Sequence, residues 1–289
     1  MAIKSEKSSG NSEMTFFEHI DALRPHLVRG VFALIVLAAI AFLLKGYIID
    51  TILMGPMHPN FPTNRFLAWA AGLLHMTHMS TDASNMHLIN TSIAGQFNLH
   101  MSISLFTALS LAIPYLLWEI WQFIKLALTP KERHASRMFV FYVSLCFFTG
   151  LLFGYFVIAP MSINFFSKYS ASSYITNMID IKSYLSLVLN VSIGCALAFQ
   201  LPLLVYFLNR MGIISPKFLR RYRRHAMLII AAFAAIITPP DIFSMVLVML
   251  PLFGLYELSI FIAVRASLKS DARDSTGTAL STLPTEPEE

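Results

Sequence analysis

Residues 226–264 read AMLIIAAFAAIITPPDIFSMVLVMLPLFGLYELSIFIAV, apolar for twelve residues, broken at Thr238-Pro239-Pro240-Asp241, then apolar again for twenty-three. The two prolines cannot continue a helix, so the stretch reads as a hairpin of two membrane spans, 226–237 and 242–264. The first arm is short. Twelve residues cover about 18 Å at about 1.5 Å each, against a hydrocarbon core of about 30 Å. It crosses only if the basic segment 218–225 extends the helix or the bilayer thins around it.

Working outward, four further stretches carry the length and apolarity of a span: 28–49, 101–124, 138–160 and 184–208. The expected fold is therefore all-α and polytopic, with six transmembrane helices, the last two short. Composition agrees. The chain of 289 residues is 56% hydrophobic and 13% charged, where soluble domains carry about 25% charged residues.

Positive charge gives the orientation. One side takes Lys4, Lys7, Arg24 and Arg29, then Lys125, Lys131, Arg133 and Arg137. It also takes Arg210, Lys217, Arg220, Arg221, Arg223 and Arg224, and finally Arg265, Lys269 and Arg273. The other side takes only Lys45, Arg65, Lys168 and Lys182. Seventeen against four requires an even number of spans and puts both termini in the cytoplasm. The net charge of +5 is thus a sorting signal along loops, and nucleic acid is not an expected partner.

The polar ends, 1–14 and 267–289, are expected to be disordered, flanking a membrane domain over 15–266. The first apolar run is long enough to span, so insertion without a cleaved leader is expected. Residues 1–14 hold Glu6 and Glu13, unlike an acid-poor transit peptide, which favours a bacterial cytoplasmic (inner) membrane. The loop 50–100, with Pro56, Pro59 and Pro62 ahead of a partly apolar stretch 66–76, reads as a folded cap with short helices. No internal repeat is present.

Polar residues inside spans are the first functional candidates. Gln200 lies within span 4, two residues before Pro202. Glu257 lies in span 6 near the depth of the Arg220–Arg224 cluster. It either pairs with an arginine there or acts directly. Thr15-Phe16-Phe17-Glu18 has the form of a capping box, so a helix is expected to start there, with Pro25 weakening it before the membrane. Glu132, in Leu128-Thr-Pro-Lys-Glu-Arg133, suits the first turn of a following helix.

No Ser/Lys or Ser/His arrangement falls at one depth, and no HExxH or phosphate-cradling glycine loop occurs, so an enzyme is not expected. His58, His75, His78, His87 and His100 lie in or beside the outer loop. They have no acidic or cysteine partners at ligand spacing, and no cofactor or metal is expected. Cys146 and Cys195 read as small core residues.

Several ordered segments resemble the TatC family, the multispanning receptor subunits of the twin-arginine protein translocase. They are Phe16-Phe-Glu-His-Ile-Asp-Ala-Leu-Arg24, Glu119-Ile-Trp-Gln-Phe123 leading to Thr129-Pro-Lys-Glu-Arg133, and Phe199-Gln-Leu-Pro202. The most specific are Thr238-Pro-Pro-Asp-Ile-Phe-Ser244 and Pro251-Leu-Phe-Gly-Leu-Tyr-Glu257. The resemblance covers about residues 14–264.

It implies a receptor for twin-arginine signal peptides of folded cargo, working in a translocase driven by the proton-motive force. It also implies an acidic patch made by a glutamate of the N-terminal helix and one of the first cytoplasmic loop. The second matches Glu132; the first falls on Ala22. Asp21 is adjacent but about 100° round the helix, while Glu18 lies at i−4 on the same face. The expected signal-peptide set is Glu132 with Asp21 and Glu18, joined by Arg24 and Phe123. Gln200, Glu257, Asp241 and Pro56 form the set expected to contact partners or act as intramembrane polar groups. Gln200 stands where many relatives have glutamate, and Glu119 where glutamine is common. Expected partners are single-span TatA/TatB-like subunits, membrane lipids and further copies of the chain. A small-solute secondary transporter is the alternative, though it calls for a midplane site between repeats.

Overall fold

The structure, a computed structural model, describes residues 16–73, 88–126, 136–170, 172, 174, 177–210, 214–238 and 242–281. Helix α1 (Phe16–Leu43) leads into a π-helical turn (Tyr47–Leu53) and a single 3-10 turn (Gly55–Met57). Helix α2 (Pro62–Leu73) and strand β1 (Leu88–Ile89) complete the outer loop, and β1 pairs in parallel with β2 (Ile179–Asp180). The described residues of this loop form a folded cap. Helix α3 (Gly95–Leu126) returns across the molecule.

Five helical stretches are long and apolar enough to cross a membrane: Leu23–Leu43, Gly95–Phe123, Val140–Lys168, Ile181–Asn209 and Ser244–Arg265. The chain is a polytopic α-helical membrane protein. Four segments differ from the sequence expectation.

The third span runs past 160 to Lys168, as α4 (Ser136–Phe153), a π turn (Gly154–Ile158) and α5 (Ala159–Lys168). Pro160 has no N–H to offer the carbonyl of Phe156. The helix widens there, the Ala159 N–H bonding Gly154 O, and the Thr63 hydroxyl of the cap donates to the Phe156 carbonyl instead.

The fourth span is interrupted. Helix α6 (Ile181–Ala198) stops four residues before Pro202, and α7 (Leu201–Arg210) resumes after a turn at Phe199–Gln200. A proline ring clashes with the carbonyl four residues earlier, here that of Ala198.

The basic segment does not simply lengthen the short fifth span. It forms a separate helix α8 (Pro216–Arg221), capped by Ser215 Oγ accepting from Phe218 N at 3.2 Å, and breaks at Tyr222. Helix α9 (Arg223–Ile237) gains only Arg223, Arg224 and His225. Its 15 residues reach about 22 Å.

Helix α10 (Ile242–Ser281) has 40 residues and is not the short arm expected. It stays helical through Ser281, where the sequence suggests disorder from 267. Adding residues to an existing helix avoids the cost of a new nucleus, and 266–281 contains no proline.

The core sits on α6. Ile158, Val191, Cys195, Ala198, Ile230, Ala234, Val248, Leu252 and Ile260 form one buried cluster across the π turn of the third span, α6, α9 and α10. A second, toward the cap, joins Ala41, Leu53, Leu99, Ile103, Ile163 and Val188. Of the α6–α7 span 47% is buried, of the α1 span only 11%. Helix α1 is peripheral and packs extensively on α3 alone among the described elements.

Candidate functional site

The molecule has a cap end and a basic end, and polar side chains of the spans are paired at both. At the basic end α1 and α3 run antiparallel. Tyr115 and Glu119, one turn apart, share a face of α3. The Glu119 carboxylate is buried. A carboxylate only accepts hydrogen bonds, so the His26 Nδ1–H of α1 donates to Glu119 Oε2, at 2.5 Å, and the Tyr115 hydroxyl donates to the same group. Arg29 adds a favourable charge. Burying a carboxylate costs several kcal/mol; charge-assisted bonds of this kind offset it.

The other end of the α1–α3 pair is pinned by a second histidine. His100 of α3 donates from Nε2 to the Phe42 carbonyl at 3.0 Å and stacks on the Phe42 ring at 3.9 Å. Between the two pins, Gly30 lets α3 come close, its missing Cβ position lying 2.9 Å from Leu116 Cδ2.

The expected signal-peptide residues converge on this end only in part. Phe123 is half-buried one turn beyond Glu119, and Arg24 is exposed on α1, two residues before His26. Glu18 and Asp21 lie on the first two turns of α1, where the structure describes the backbone alone. Glu132 lies outside the described residues, as does Asp241.

The second expected set is not one site. Gln200 occupies the α6–α7 break and donates from Nε2 to the Val143 carbonyl of α4 at 3.1 Å. Glu257 accepts from Arg223 at 2.8 Å, a half-exposed pair joining α9 to α10; its Oε1 is buried and has no hydrogen-bond partner among the described residues. Local pairing thus accounts for one oxygen of Glu257. Pro56 sits in the cap, buried, its carbonyl accepting from Asn64 Nδ2 at 3.0 Å.

Sequence reading missed two groups. One is the His26–Glu119 pair, whose members stand 93 residues apart; the only signal was a glutamate near the end of an apolar span. The other is the cap network. Asn64 also donates to the His58 carbonyl at 2.9 Å, Asn164 Nδ2 donates to Asn64 Oδ1 at 2.8 Å, and Ser162 and Ser244 share a bond of 2.9 Å. Tyr155 and Tyr184 donate to the carbonyls of Ile52 and Leu53 in the π turn, at 2.5 and 2.7 Å. Among the described residues no group of three or more His, Cys, Asp or Glu side chains converges as a metal site.

Residues 18–251 match the family model described as Sec-independent protein translocase protein (TatC). A Sec-independent protein translocase protein TatC from Blattabacterium sp. subsp. Periplaneta americana is 38% identical over 269 residues, covering 92% of this chain and 100% of that protein. The protein of the same name from Carboxydothermus hydrogenoformans is 32% identical over 251 residues, covering 86% and 93%. A crystal structure described as the twin arginine translocase receptor TatC superposes with a TM-score of 0.67 at 28% identity. It spans 86% of this chain and 100% of that one.

Proposed function

We infer that this chain, which belongs to the TatC family of Sec-independent protein translocase proteins, is the receptor subunit that captures twin-arginine signal peptides. The observation that carries this is the match over residues 18–251, joined to a fold shared with a twin-arginine translocase receptor along that receptor's whole length. The solute-transporter alternative draws no support from these relatives.

The finer reading rests on the residues. Both termini and the basic end face the cytoplasm of a bacterial cell, with α9 as a sixth, short crossing and the cap outside. Glu132, with Asp21 and Glu18, receives the arginine pair, because a guanidinium fork bonds a carboxylate in two places. A lysine pair lacks that geometry. Arg24 and Phe123 border the patch. Gln200, Glu257, Asp241 and Pro56 serve partner contacts with single-span TatA/TatB-like subunits or local polar roles. The working assembly holds several copies of the chain, bathed in membrane lipid, and the proton-motive force drives transport of folded cargo.

The test is export of a folded twin-arginine reporter in a translocation-null strain carrying this chain; no export would sink the reading. Within it, Glu132→Ala is expected to abolish crosslinking to a twin-arginine peptide, and unchanged crosslinking would remove Glu132 from the site. Gln200→Leu is expected to weaken co-purification of the single-span subunits.

A further inference from the structure

Helix α1 carries Glu18 and Asp21, yet it is the least buried of the spans and is held chiefly by α3. Its first turns therefore stand where α3 lets them stand. Pro25 lies between those turns and the membrane part, and it leaves the Asp21 carbonyl without an intrahelical partner. The next residue, His26, is bonded to Glu119. The polar pin thus sits immediately on the membrane side of the weakest point of α1. Four residues beyond Glu119 on the same face of α3 stands Phe123, three residues before that helix ends.

We propose that the His26–Glu119 pair is a positioning latch. It fixes the acid-bearing first turns of α1 against the exit of α3, and through that spacing sets the preference for arginine over lysine at the receptor surface. This rests on the signal-peptide reading above. Glu119 is a positioning residue here, not a contact for the peptide: it is buried, and His26 and Tyr115 already occupy its carboxylate.

The experiment uses the full chain in membranes with its partner subunits. Photocrosslinking is compared for a signal peptide carrying an arginine pair and one carrying a lysine pair. In parallel, nitroxide labels at positions 17 and 125, on a background lacking Cys146 and Cys195, report the α1–α3 distance distribution. Glu119→Ala and His26→Ala are expected to lower the arginine preference about five- to tenfold, the coupling typical of one shared hydrogen-bond network. The same variants should broaden the distances. Glu119→Gln keeps an acceptor oxygen, and the exchanged pair, His26→Glu with Glu119→His, keeps the bond; both are expected to retain preference and narrow distances. Where a single variant does not accumulate, H26A/E119A replaces it, since it removes both partners of the pair together.

Unchanged preference and distances in Glu119→Ala would overturn the latch. So would a loss in Glu119→Gln as deep as in Glu119→Ala, which would mark a direct charge contact with the peptide. An equal loss from His100→Ala, at the opposite pin, would reduce the effect to general destabilisation and also overturn it. If the unaltered chain shows no arginine preference, the receptor reading fails. The distances then decide alone, broadening in Glu119→Ala supporting the latch and no change refuting it.

Discussion

Two helix contacts in this molecule are made in opposite ways. Where α4 and its π turn meet α6, the backbones touch. A Cβ on Gly150 would lie 2.6 Å from the Cys195 carbonyl, and one on Gly154 would lie 2.8 Å from Ser192 Cα. Gly194, on α6, makes room for the branched side chain of Ile237 of α9, whose Cγ2 lies 2.3 Å from the missing Cβ position. Where α1 meets α3, the only comparable approach is Gly30 to the end of a leucine side chain, and polar pins close the two ends. Lipid is as apolar as a leucine, so within a bilayer shape and hydrogen bonds hold helices together, not the hydrophobic effect. The α6 contact uses shape and has one solution. The α1 contact uses a few bonds and tolerates adjustment, and the acids proposed to read a peptide ride on it.

The difference is tested most severely at the glycines. Gly154→Val is expected to cost about 3 kcal/mol or more, because the clash is with backbone, and to leave little folded protein by thermal unfolding in detergent. Gly30→Ala should stay within about 1 kcal/mol, since Leu116 can turn away. Equal losses would erase the distinction.

Next comes the cap network. Asn164→Leu strands Asn64 Oδ1 and is expected to lower stability by about 2 kcal/mol, read as a lower unfolding midpoint. Tyr184→Phe removes one buried bond to the Leu53 carbonyl and should cost about 1 kcal/mol by the same measurement. The smallest effect is expected at Arg223→Ala. That pair is half-exposed, with side chains 47% and 34% accessible, and such pairs contribute about 0–1 kcal/mol. A large loss there would make the α9–α10 hairpin depend on charge, and the shape-based account of the α6 group would need revision.

The spans were legible because hydropathy is a property of single segments. The partners of their polar groups were not. Nothing local to Glu119 names His26, and nothing local to Asn164 names Asn64, 100 residues away. Prolines fall between these cases. Pro160 and Pro202 mark in sequence where a carbonyl loses its donor, but only the folded chain shows that Thr63 serves Phe156. Over 267–281 the polar composition suggests disorder, yet polarity reports only contact with solvent, and α10 continues there as a helix. At the proposed receptor patch, Glu132 rests on family resemblance alone. The buried carboxylate that the structure does describe, Glu119, stands out in sequence only as a departure from the family pattern.

The length of α10 has a practical side. From Arg265 to Ser281 the helix continues for sixteen residues past its membrane window, about 24 Å at about 1.5 Å each. A fluorophore or affinity tag joined behind it is carried on a semi-rigid helical stalk. Reporters of assembly can be mounted there, and α10 itself serves as a ruler for distances measured from it.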